Sequence, residues 1–591
     1  MEQARTILAS SVLALTTLST QAQLVAWVEM EGTYVDRPDP YGWIMGQEGP
    51  TLLDVVRTFE DIASDASYDA LVLRFRSPML TSTQIEEIGA ALQQVRESGK
   101  SIFTFSEIYT PGEMLLASHA DTVIMQSGGA VSFPGIYMEE MFLAETLEWI
   151  GIEPSYVQIG DYKGAKEMMD NSQPSPAWEQ NISGLLDSLY ATMRTSLKRG
   201  RHLSDRQLDD AMDMAFYMNA ENAIRKGMID VELDRMDLHA YLKDTIGEDI
   251  EYDTSIDFNS SMSIDFANPF AFLAMLSAEP DHTPRRDTIA VLHIDGAIVD
   301  GESSPGSLFG GASVGALTIR ESLRDLESDD NVKGVIVRIN SPGGSAIASE
   351  NIWQGVRRVA EHKPVWVSVG SMAASGGYYI AVSGEKIYMN PSSIIGSIGV
   401  VGGKLAMGDL YEKLHINVVP RARGPRASLM SGQDAWNEEE ERFIAEMMTE
   451  TYDLFVERVE SGRSGIDIDK TAEGRLFLSD RALDLRMADE VGGLSVAVDD
   501  MAEDLTLVDG EYDVMHFPGP GTLDEFLDSM LGFGVRADAR ASGDALSLAI
   551  GSLRLLVGER AWPSVSASLE GAMQMRREPV LLMMPRVLMF K

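Results

Sequence analysis

Short apolar runs, rich in β-branched and aromatic residues, alternate along this chain with longer amphipathic stretches. Buried strands are predicted at 24–28, 70–75 and 102–105, and helices at 51–62, 83–96 and about 113–120. The same order returns after residue 285, with strand-like runs at 334–339 and 364–369. Strands that alternate with helices are typical of α/β proteins, so the pattern predicts an α/β fold.

The second half of the chain repeats the first at a constant spacing. Matched positions give 338 − 74 = 264 for an arginine, and 376 − 112 = 264 and 424 − 160 = 264 for two glycines. The segment LVLRFRSP at 71–78 thereby overlays VIVRINSP at 335–342. Such regular self-similarity indicates an internal duplication.

The duplication predicts two tandem α/β domains. We place them at 22–275 and 285–510, with a connection at about 257–284 that is marked by Asn, Ser and Pro. A C-terminal extension of unknown role follows at 511–591.

The stretch from 371 to 397 shows the strongest indication of chemistry. Its predicted strand runs into the small-residue motif AASGG at 373–377. Small residues let the backbone turn sharply into a helix and hold a side chain out at the turn. This suits a nucleophilic serine whose following amide faces an oxyanion. Ser375 is therefore the candidate nucleophile, although Ser-Gly-Gly also occurs in turns that have no function.

A second glycine motif, NSPGGS at 340–345, follows the strand at 334–339. Two glycines at the carboxyl end of a strand let backbone N–H groups approach a ligand closely. The crevice outside the strand ends is where α/β sheets place their sites. We expect Gly344 or Gly343 to supply one oxyanion donor and Gly376 the other.

The first copy lacks these groups. Subtracting 264 places Ser375 on Pro111, and the two glycines at 343 and 344 on Met79 and Leu80. A serine nucleophile needs a base, and the second copy contains no evident one. The two copies therefore have complementary gaps rather than two equivalent sites.

The motif GDYKGA at 160–165 of the first copy offers Lys163 as the base, and Lys163 overlays Ala427. A lysine can act as a general base if a dry site lowers its pKa. A small neighbour such as Gly164 would allow close approach. Without the repeat, any single lysine would be interpreted as a solvated surface residue.

The composition limits which kinds of partner and cofactor the protein can bind. The formal charge is 48 − 91 = −43, which argues against nucleic acid and against electrostatic docking on anionic lipid. The chain has no cysteine, so it has no disulfide, thiol nucleophile or thiolate metal site. Its eight histidines form no pair at a metal-binding spacing, so we expect no metal and no other cofactor.

Both ends of the chain carry short apolar runs. The apolar portion of the run at 6–23, about residues 7–18, is too short to span a bilayer, and the run has a small-residue cleavage site near Gln21-Ala22. We predict a signal or anchor segment at 1–21, with a plain N-terminal helix as the alternative. The run at 579–584 is apolar but short.

Together these motifs resemble the signal peptide peptidase (SppA) family, peptidase family S49, in its long, duplicated bacterial form. Its members are serine proteases with a Ser–Lys dyad and a crotonase/ClpP-like fold. The nucleophile half is matched by NSPGGS, by AASGGYY at 373–379 and by NPSSIIGSIG at 390–399. The lysine motif is matched by GDYKGA, and GRLFLSDRALDLRMADEVGG at 474–493 is also similar.

The resemblance covers roughly residues 22–510 and implies a role for each matched residue. It implies Ser375 as nucleophile, Lys163 as general base and Ser397 as the hydroxyl that orients the lysine. It also implies Gly376 with Gly344 as the oxyanion hole.

The family's known behaviour implies a homo-oligomer of four subunits that associates with the membrane. Its substrates would be hydrophobic peptides such as remnant signal peptides, on the periplasmic or cell-envelope side of a bacterium. Two other functions stay open. One is a non-catalytic scaffold, which does not explain why one copy keeps the serine and the other the lysine. The second is a crotonase-type acyl-CoA enzyme, which would need placed carboxylates.

Overall fold

The computed structural model describes residues 22–45, 50–247, 249–256, 258, 281–304, 312–522 and 581–584. The signal or anchor segment predicted at 1–21 lies outside the described residues, as do most of the connection at 257–284 and most of the C-terminal extension. Among the described helices, none combines the length and the apolar character needed to cross a membrane.

The described part of the first copy alternates strands and helices, as the apolar pattern predicts. Its strands are β1 (Gln23–Thr33), β2 (Tyr68–Met79), β3 (Ser101–Tyr109), β4 (Thr122–Val131), β5 (Glu153–Ile159), β6 (Met218–Asn219), β7 (Val231–Leu233) and β8 (Ile250–Asp253). Its helices are α1 (Gly42–Met45), α2 (Leu52–Ser64), α3 (Ser82–Glu97), α4 (Pro111–Ala117), α5 (Ala144–Ile150), α6 (Glu167–Asp170), α7 (Pro176–Arg201), α8 (Asp205–Met212), α9 (Ala220–Arg225) and α10 (Leu238–Ile246).

The second copy follows the same order and adds strands near its glycine motifs. Its strands are β9 (Thr288–Asp295), β10 (Ala297–Val299), β11 (Ser313–Gly315), β12 (Val332–Ser341), β13 (Gly343–Ser345), β14 (Val365–Ala374), β15 (Ile387–Met389), β16 (Ile394–Gly396), β17 (Val400–Ala406), β18 (Leu476–Phe477), β19 (Glu490–Val491), β20 (Asp513–Phe517) and β21 (Leu581–Met583). Its helices are α11 (Ala316–Ser328), α12 (Ala346–Ala360), α13 (Gly376–Ala381), α14 (Gly408–Lys413), α15 (Glu438–Gly462), α16 (Ile468–Thr471), α17 (Ser479–Ala482) and α18 (Leu494–Asp504).

Element boundaries repeat at the spacing found in the sequence. Helix α2 maps onto α11 at both ends, since 52 + 264 = 316 and 64 + 264 = 328. The first residues of β2 and β3 map onto those of β12 and β14, since 68 + 264 = 332 and 101 + 264 = 365. The predicted α/β class and the tandem duplication are confirmed.

Each copy is built around one largely parallel sheet. The first sheet has the order β6-β4-β3-β2-β1-β8, and the second has the order β18-β16-β14-β12-β9-β20. Alternate residues of β2 pack into different clusters on the two faces of the sheet: Leu71 and Leu73 into one, Ala70 and Val72 into the other. Strands covered on both faces need apolar residues at every position, which explains the continuous apolar runs in the sequence.

A third sheet contains strands from both copies, in the order β11-β10-β13-β21-β17-β5. Strand β5 of the first copy pairs antiparallel with β17 of the second, from Ile159 opposite Val400 to Glu153 opposite Ala406. The repeat equivalents of these strands, at 153 + 264 = 417 onward and 400 − 264 = 136 onward, are not strands. Each copy therefore supplies a strand that the other lacks, and β5 carries the first copy's lysine motif to the second copy.

Part of the chain beyond residue 510 also belongs to these sheets. Strand β20 pairs in parallel with β9, and β21 pairs antiparallel with β13 and β17. Both strands lie past the boundary that we predicted for the second domain. The described parts of the C-terminal extension thus contribute to the sheets around the second copy.

A buried ion cluster joins the two copies. The Arg338 guanidinium on β12 lies 2.7 Å from the Glu87 carboxylate on α3 and 3.0 Å from the Asp36 carboxylate. Arg338 is 1% exposed and also donates to Ser368 Oγ at 2.9 Å. Burial alone would lower the pKa of Arg338, but the Asp36 and Glu87 carboxylates raise it above its ordinary value.

Candidate active site

Ser375 lies at the turn where β14 ends and α13 begins, with φ 55° and ψ −113°. A positive φ is uncommon for a residue with a Cβ, and holding it costs about 1–3 kcal/mol. Ser375 N donates to Gly396 O at 2.8 Å, and Tyr379 N donates to Ser375 O at 2.8 Å. Turns of this kind concentrate at functional sites, and this one has the sharp strand-to-helix geometry that the small residues predict.

The structure brings together the three side chains that the resemblance assigned to the site. Lys163 Nζ lies 2.5 Å from Ser375 Oγ, 3.1 Å from Ser397 Oγ and 2.9 Å from the Ser397 carbonyl oxygen. All three residues have no exposed surface. The lysine comes from the first copy and both serines come from the second, within one chain.

Burial holds the pKa of Lys163 well below its ordinary value. A neutral lysine amine has two N–H donors and one lone pair, which matches its three oxygen neighbours. The carbonyl and hydroxyl oxygens of Ser397 can accept the two N–H groups, and the Ser375 hydroxyl can donate to the lone pair. This is the arrangement in which an amine acts as general base toward a serine.

The loop that carries Lys163 is anchored to the second copy. Tyr162 N donates to Glu473 O at 2.8 Å, and the Arg475 guanidinium lies 4.2 Å from the centre of the Tyr162 ring. Asn181 bridges the two copies, because its Nδ2 donates to Tyr162 O at 3.2 Å and its Oδ1 accepts from Leu476 N at 3.0 Å. The sequence did not single out Asn181 or Arg475. Arg475 lies within the matched segment at 474–493, whereas no motif marked Asn181.

Gly164, next to the lysine, permits a close contact with an aromatic ring. A Cβ added at Gly164 would lie 2.1 Å from Trp178 Cε3, and the residue has a φ of +64°. Trp178 is buried, and its Nε1 donates to the Glu140 carboxylate at 2.7 Å. The absence of a side chain at Gly164 therefore lets the Trp178 ring pack directly against the loop that carries Lys163.

The two predicted oxyanion motifs meet beside Ser375. Gly376 is the first residue of α13, while Gly343 and Gly344 lie in β13. A Cβ added at Gly376 would lie 3.2 Å from Gly344 N, and one added at Gly343 would lie 2.7 Å from Gly376 N. The backbone nitrogens proposed as oxyanion donors are therefore close together. No group of three His, Asp or Glu side chains in the described part of the chain could hold a metal ion.

A family model matches both copies of the chain. The model of peptidase family S49 matches residues 94–245 and 357–508, and these two matches are offset by 357 − 94 = 263 residues. The chain belongs to peptidase family S49. A Clp protease model also matches residues 314–396, the region that contains β13 and the Ser375 turn. This S49 chain is therefore a protease with a ClpP-like fold.

Curated relatives align with this S49 protease over most of its length. Protease 4 of Haemophilus influenzae is 29% identical over 461 residues, which cover 75% of this chain and 71% of the relative. Protease 4 of Salmonella typhi is 28% identical, with 82% of this chain and 76% of the relative covered. Serine protease SPPA, chloroplastic, of Arabidopsis thaliana is 28% identical, with 70% and 60% covered. The similarity therefore extends across both copies.

Replacing Ser397 with alanine is expected to lower kcat about tenfold without unfolding the protein. The change removes one hydrogen bond to Lys163, worth about 1–1.5 kcal/mol, while the Ser397 carbonyl still holds the amine. Steady-state hydrolysis of a peptide by S397A measures the effect. Ser393→Ala is the matched control, because Ser393 is buried in the same segment but bonds to Gly370 O at 2.6 Å. A wild-type kcat in S397A would contradict the orienting role.

Proposed function

We propose that this S49 protease is a serine endopeptidase in which Ser375 is the nucleophile and Lys163 the general base. The observation that carries the proposal is the 2.5 Å separation of Lys163 Nζ and Ser375 Oγ inside a buried site. A solvated lysine would be protonated and could not accept the hydroxyl proton. Because burial lowers the pKa of Lys163, its amine can be neutral and can accept the proton.

In acylation, the Ser375 oxygen attacks the carbonyl carbon of the peptide while its proton passes to Lys163 Nζ. The developing oxyanion is stabilised by the backbone N–H groups of Gly376 and Gly344. The lysine then gives the proton to the leaving amine as the C–N bond breaks. In deacylation, the neutral lysine takes a proton from water, which attacks the ester and releases Ser375.

We propose apolar, extended peptides as substrates, including remnant signal peptides. The support is a groove between β13 and β17 that accepts one more strand. Residues 581–584, with the sequence LLMM, lie there and are all buried. Backbone hydrogen bonds in such a groove hold any extended peptide, and apolar walls select its side chains.

The proposed assembly is a homo-oligomer, a tetramer by resemblance, in or near the bacterial cell envelope and in contact with the membrane. Exposed apolar side chains at and after the end of α14 support this assembly. Lys413 Nζ donates to Trp149 O at 2.7 Å, so Trp149 lies beside this segment. The exposed members are Trp149, Leu414, Ile416 and Val419. Such clustered apolar surface is typical of a contact with another subunit or a membrane.

A fluorophosphonate probe tests the dyad. We expect it to label Ser375, at a rate that rises with pH as Lys163 loses its proton. Because the pKa of Lys163 is depressed, this rise should come below the ordinary lysine value of about 10.4. Peptide mapping locates the label, and labelling rates across a pH series give the profile.

Lys163→Ala supplies the control for this experiment, since its labelling should be slow and should lack the lysine-dependent rise. A rise at about pH 4–5 would instead indicate a carboxylate base and contradict Lys163. A folded protein that the probe does not label at any pH would favour the scaffold or the crotonase-type enzyme.

A further inference from the structure

A short segment of the second copy, residues 473–476, contacts both the lysine loop and the backbone of Ser397. Tyr162 N, next to the proposed base, donates to Glu473 O at 2.8 Å. Ser397 N donates to Arg475 O at 2.7 Å. The segment therefore binds the residue before the lysine and the serine that the lysine amine contacts.

The backbone of this segment packs directly against the backbone of Lys163. Gly474 has a φ of +82°, and a Cβ added there would lie 2.4 Å from both the Cα and the N atom of Lys163. The preceding residue, Glu473, has a φ of 62° although it carries a side chain. Left-handed backbone is strained at residues other than glycine, and such strain is concentrated at functional sites. The close approach to Lys163 therefore depends on one glycine and one strained neighbour.

The Asn181 side chain connects this segment to the lysine loop from a third element, α7. The other buried side chains of α7 are Trp178, Ile182, Leu185, Leu189 and Leu197. An amide buried beside such residues is unfavourable unless it is hydrogen-bonded. Asn181 is 8% exposed, its Nδ2 donates to Tyr162 O at 3.2 Å, and its Oδ1 accepts from Leu476 N at 3.0 Å. Its amide thus joins the residue before Lys163 to the segment that binds Ser397.

These contacts close a ring through the proposed dyad. The ring runs from the Lys163 amine through four further points, namely Ser397, residues 475–476, Asn181 and Tyr162. Because the ring is closed, the Asn181 amide fixes the lysine backbone relative to the serine that the amine contacts. In the described part of the chain, this amide bonds to backbone groups and not to a dyad side chain, so it acts on catalysis through Lys163.

Arg475 supports the same loop through its side chain. Its guanidinium lies 4.2 Å from the centre of the Tyr162 ring, and its Nη1 donates to Ala472 O at 2.9 Å. A guanidinium over the face of an aromatic ring is a favourable electrostatic contact. The residue before Lys163 is thus held at its carbonyl, at its N–H and at its ring.

We propose that Asn181 is a positioning residue of the Ser375–Lys163 dyad and that Arg475 assists it. The inference rests on the proposed function and adds residues outside the dyad and the oxyanion hole. By holding the loop, Asn181 keeps the lysine amine buried and within hydrogen-bond reach of Ser375 Oγ. A misplacement of about 1 Å can cost about 10²-fold in rate, and a lysine amine that gains water regains a more ordinary pKa.

The kinetics of Asn181→Ala test the inference. Its kcat on an apolar peptide should fall about 10–100-fold, with a smaller change in KM, because the amide positions the base rather than the substrate. The rise of kcat with pH should move to higher pH, since a less buried Lys163 amine holds its proton more tightly. Ser183→Ala is the matched control, because it removes only an exposed bond to Glu179 on the same helix. It should leave both kcat and the pH profile unchanged.

A double-mutant cycle separates positioning of the lysine from support of the fold. Labelling of Ser375 by a fluorophosphonate is measured for the wild type, Asn181→Ala, Lys163→Ala and the double variant. Because Asn181 acts through Lys163, its replacement should cost no further rate once the lysine is gone. An equal loss in both backgrounds would show that Asn181 supports the fold and would overturn the positioning role.

Two further variants keep the test decisive if thermal unfolding shows that Asn181→Ala does not fold. Asn181→Asp keeps the acceptor for Leu476 N but loses the donor to Tyr162 O. Its negative charge favours the protonated amine, so the pH rise should again move upward and kcat should fall. Arg475→Ala should show a smaller shift in the same direction, and Arg475→Lys, which keeps a cation near the ring, should recover part of kcat. Wild-type pH profiles in Asn181→Asp and Arg475→Ala would overturn the inference.

The wild-type profile separates failure of this inference from failure of the proposed function. A lysine-dependent rise that is the same in the wild type and in Asn181→Ala overturns the positioning role and leaves the dyad standing. A wild type without that rise, or a rise that persists in Lys163→Ala, counts against the dyad itself.

Discussion

Lys163→Ala should abolish measurable peptide hydrolysis while the protein stays folded. General-base assistance contributes about 10²–10⁴-fold to a rate, and no other basic side chain contacts Ser375 Oγ in the described part of the chain. Ser375→Ala should cost at least as much, because the acyl-enzyme cannot form. The measurements are kcat/KM on an apolar peptide and the midpoint of thermal unfolding for each variant.

Lys166→Ala is the matched control for the lysine. It lies three residues further along the same loop, is partly exposed, and pairs with Asp170 at 3.7 Å. Its kcat/KM should stay close to that of the wild type. Full activity in Lys163→Ala, or an equal loss in Lys166→Ala, would mean that the loop rather than the Lys163 amine is what catalysis needs.

Glu87→Ala should destabilise the protein by about 3–5 kcal/mol, because it leaves the Arg338 guanidinium buried without one of its two carboxylates. Glu87 also accepts from Asn390 Nδ2 at 2.7 Å and from Leu494 N at 3.0 Å. Removing its carboxylate therefore leaves these two donors without this acceptor as well. Chemical denaturation should show the transition shifted to lower denaturant. Because the cluster joins the two copies, hydrolysis should be lost together with the fold.

Two other variants provide reference values for the destabilisation caused by Glu87→Ala. Glu31→Ala removes a partner from the exposed Arg76–Glu31 pair at 3.4 Å and should cost less than about 1 kcal/mol. Glu87→Gln keeps the shape and part of the hydrogen bonding, so its effect should lie between those of the two alanine variants. A denaturation midpoint for Glu87→Ala that matches Glu31→Ala would show that the buried cluster does not hold the copies together.

The sequence predicted the elements well where the signal is local. Strands β2 and β12 contain short apolar runs, at 70–73 and 335–337, because both faces of a central parallel strand are covered. Helices α2 and α11 carry an apolar stripe at helical spacing, and their boundaries repeat at 264 residues because the copies bury equivalent faces. The turn at Ser375 was predictable because small residues alone permit its geometry.

The proposed base, Lys163, could not be predicted from a local pattern. Lys163 and Ser375 are 375 − 163 = 212 residues apart, and nothing in the periodicity links them. The link came from the complementary gaps in the two copies and from the resemblance to a known family. The burial of the amine, on a loop that packs against Trp178 and is anchored to the second copy through Asn181, depends on contacts that form only in the folded chain.

The sequence by itself determined the α/β class, the duplication, the strand-to-helix turn at Ser375 and the two glycine motifs, because each depends on residues adjacent in the chain. Only the tertiary structure decided how the copies share a sheet through β5 and β17, and how β21 comes to lie across the glycines. The apolar run at 579–584 was visible in the sequence, but the pairing of residues 581–583 with β13 was not. Strand pairing uses backbone groups that every residue carries, so the sequence of a strand does not identify its partner. The partner depends on which strand edges are unpaired in the folded chain.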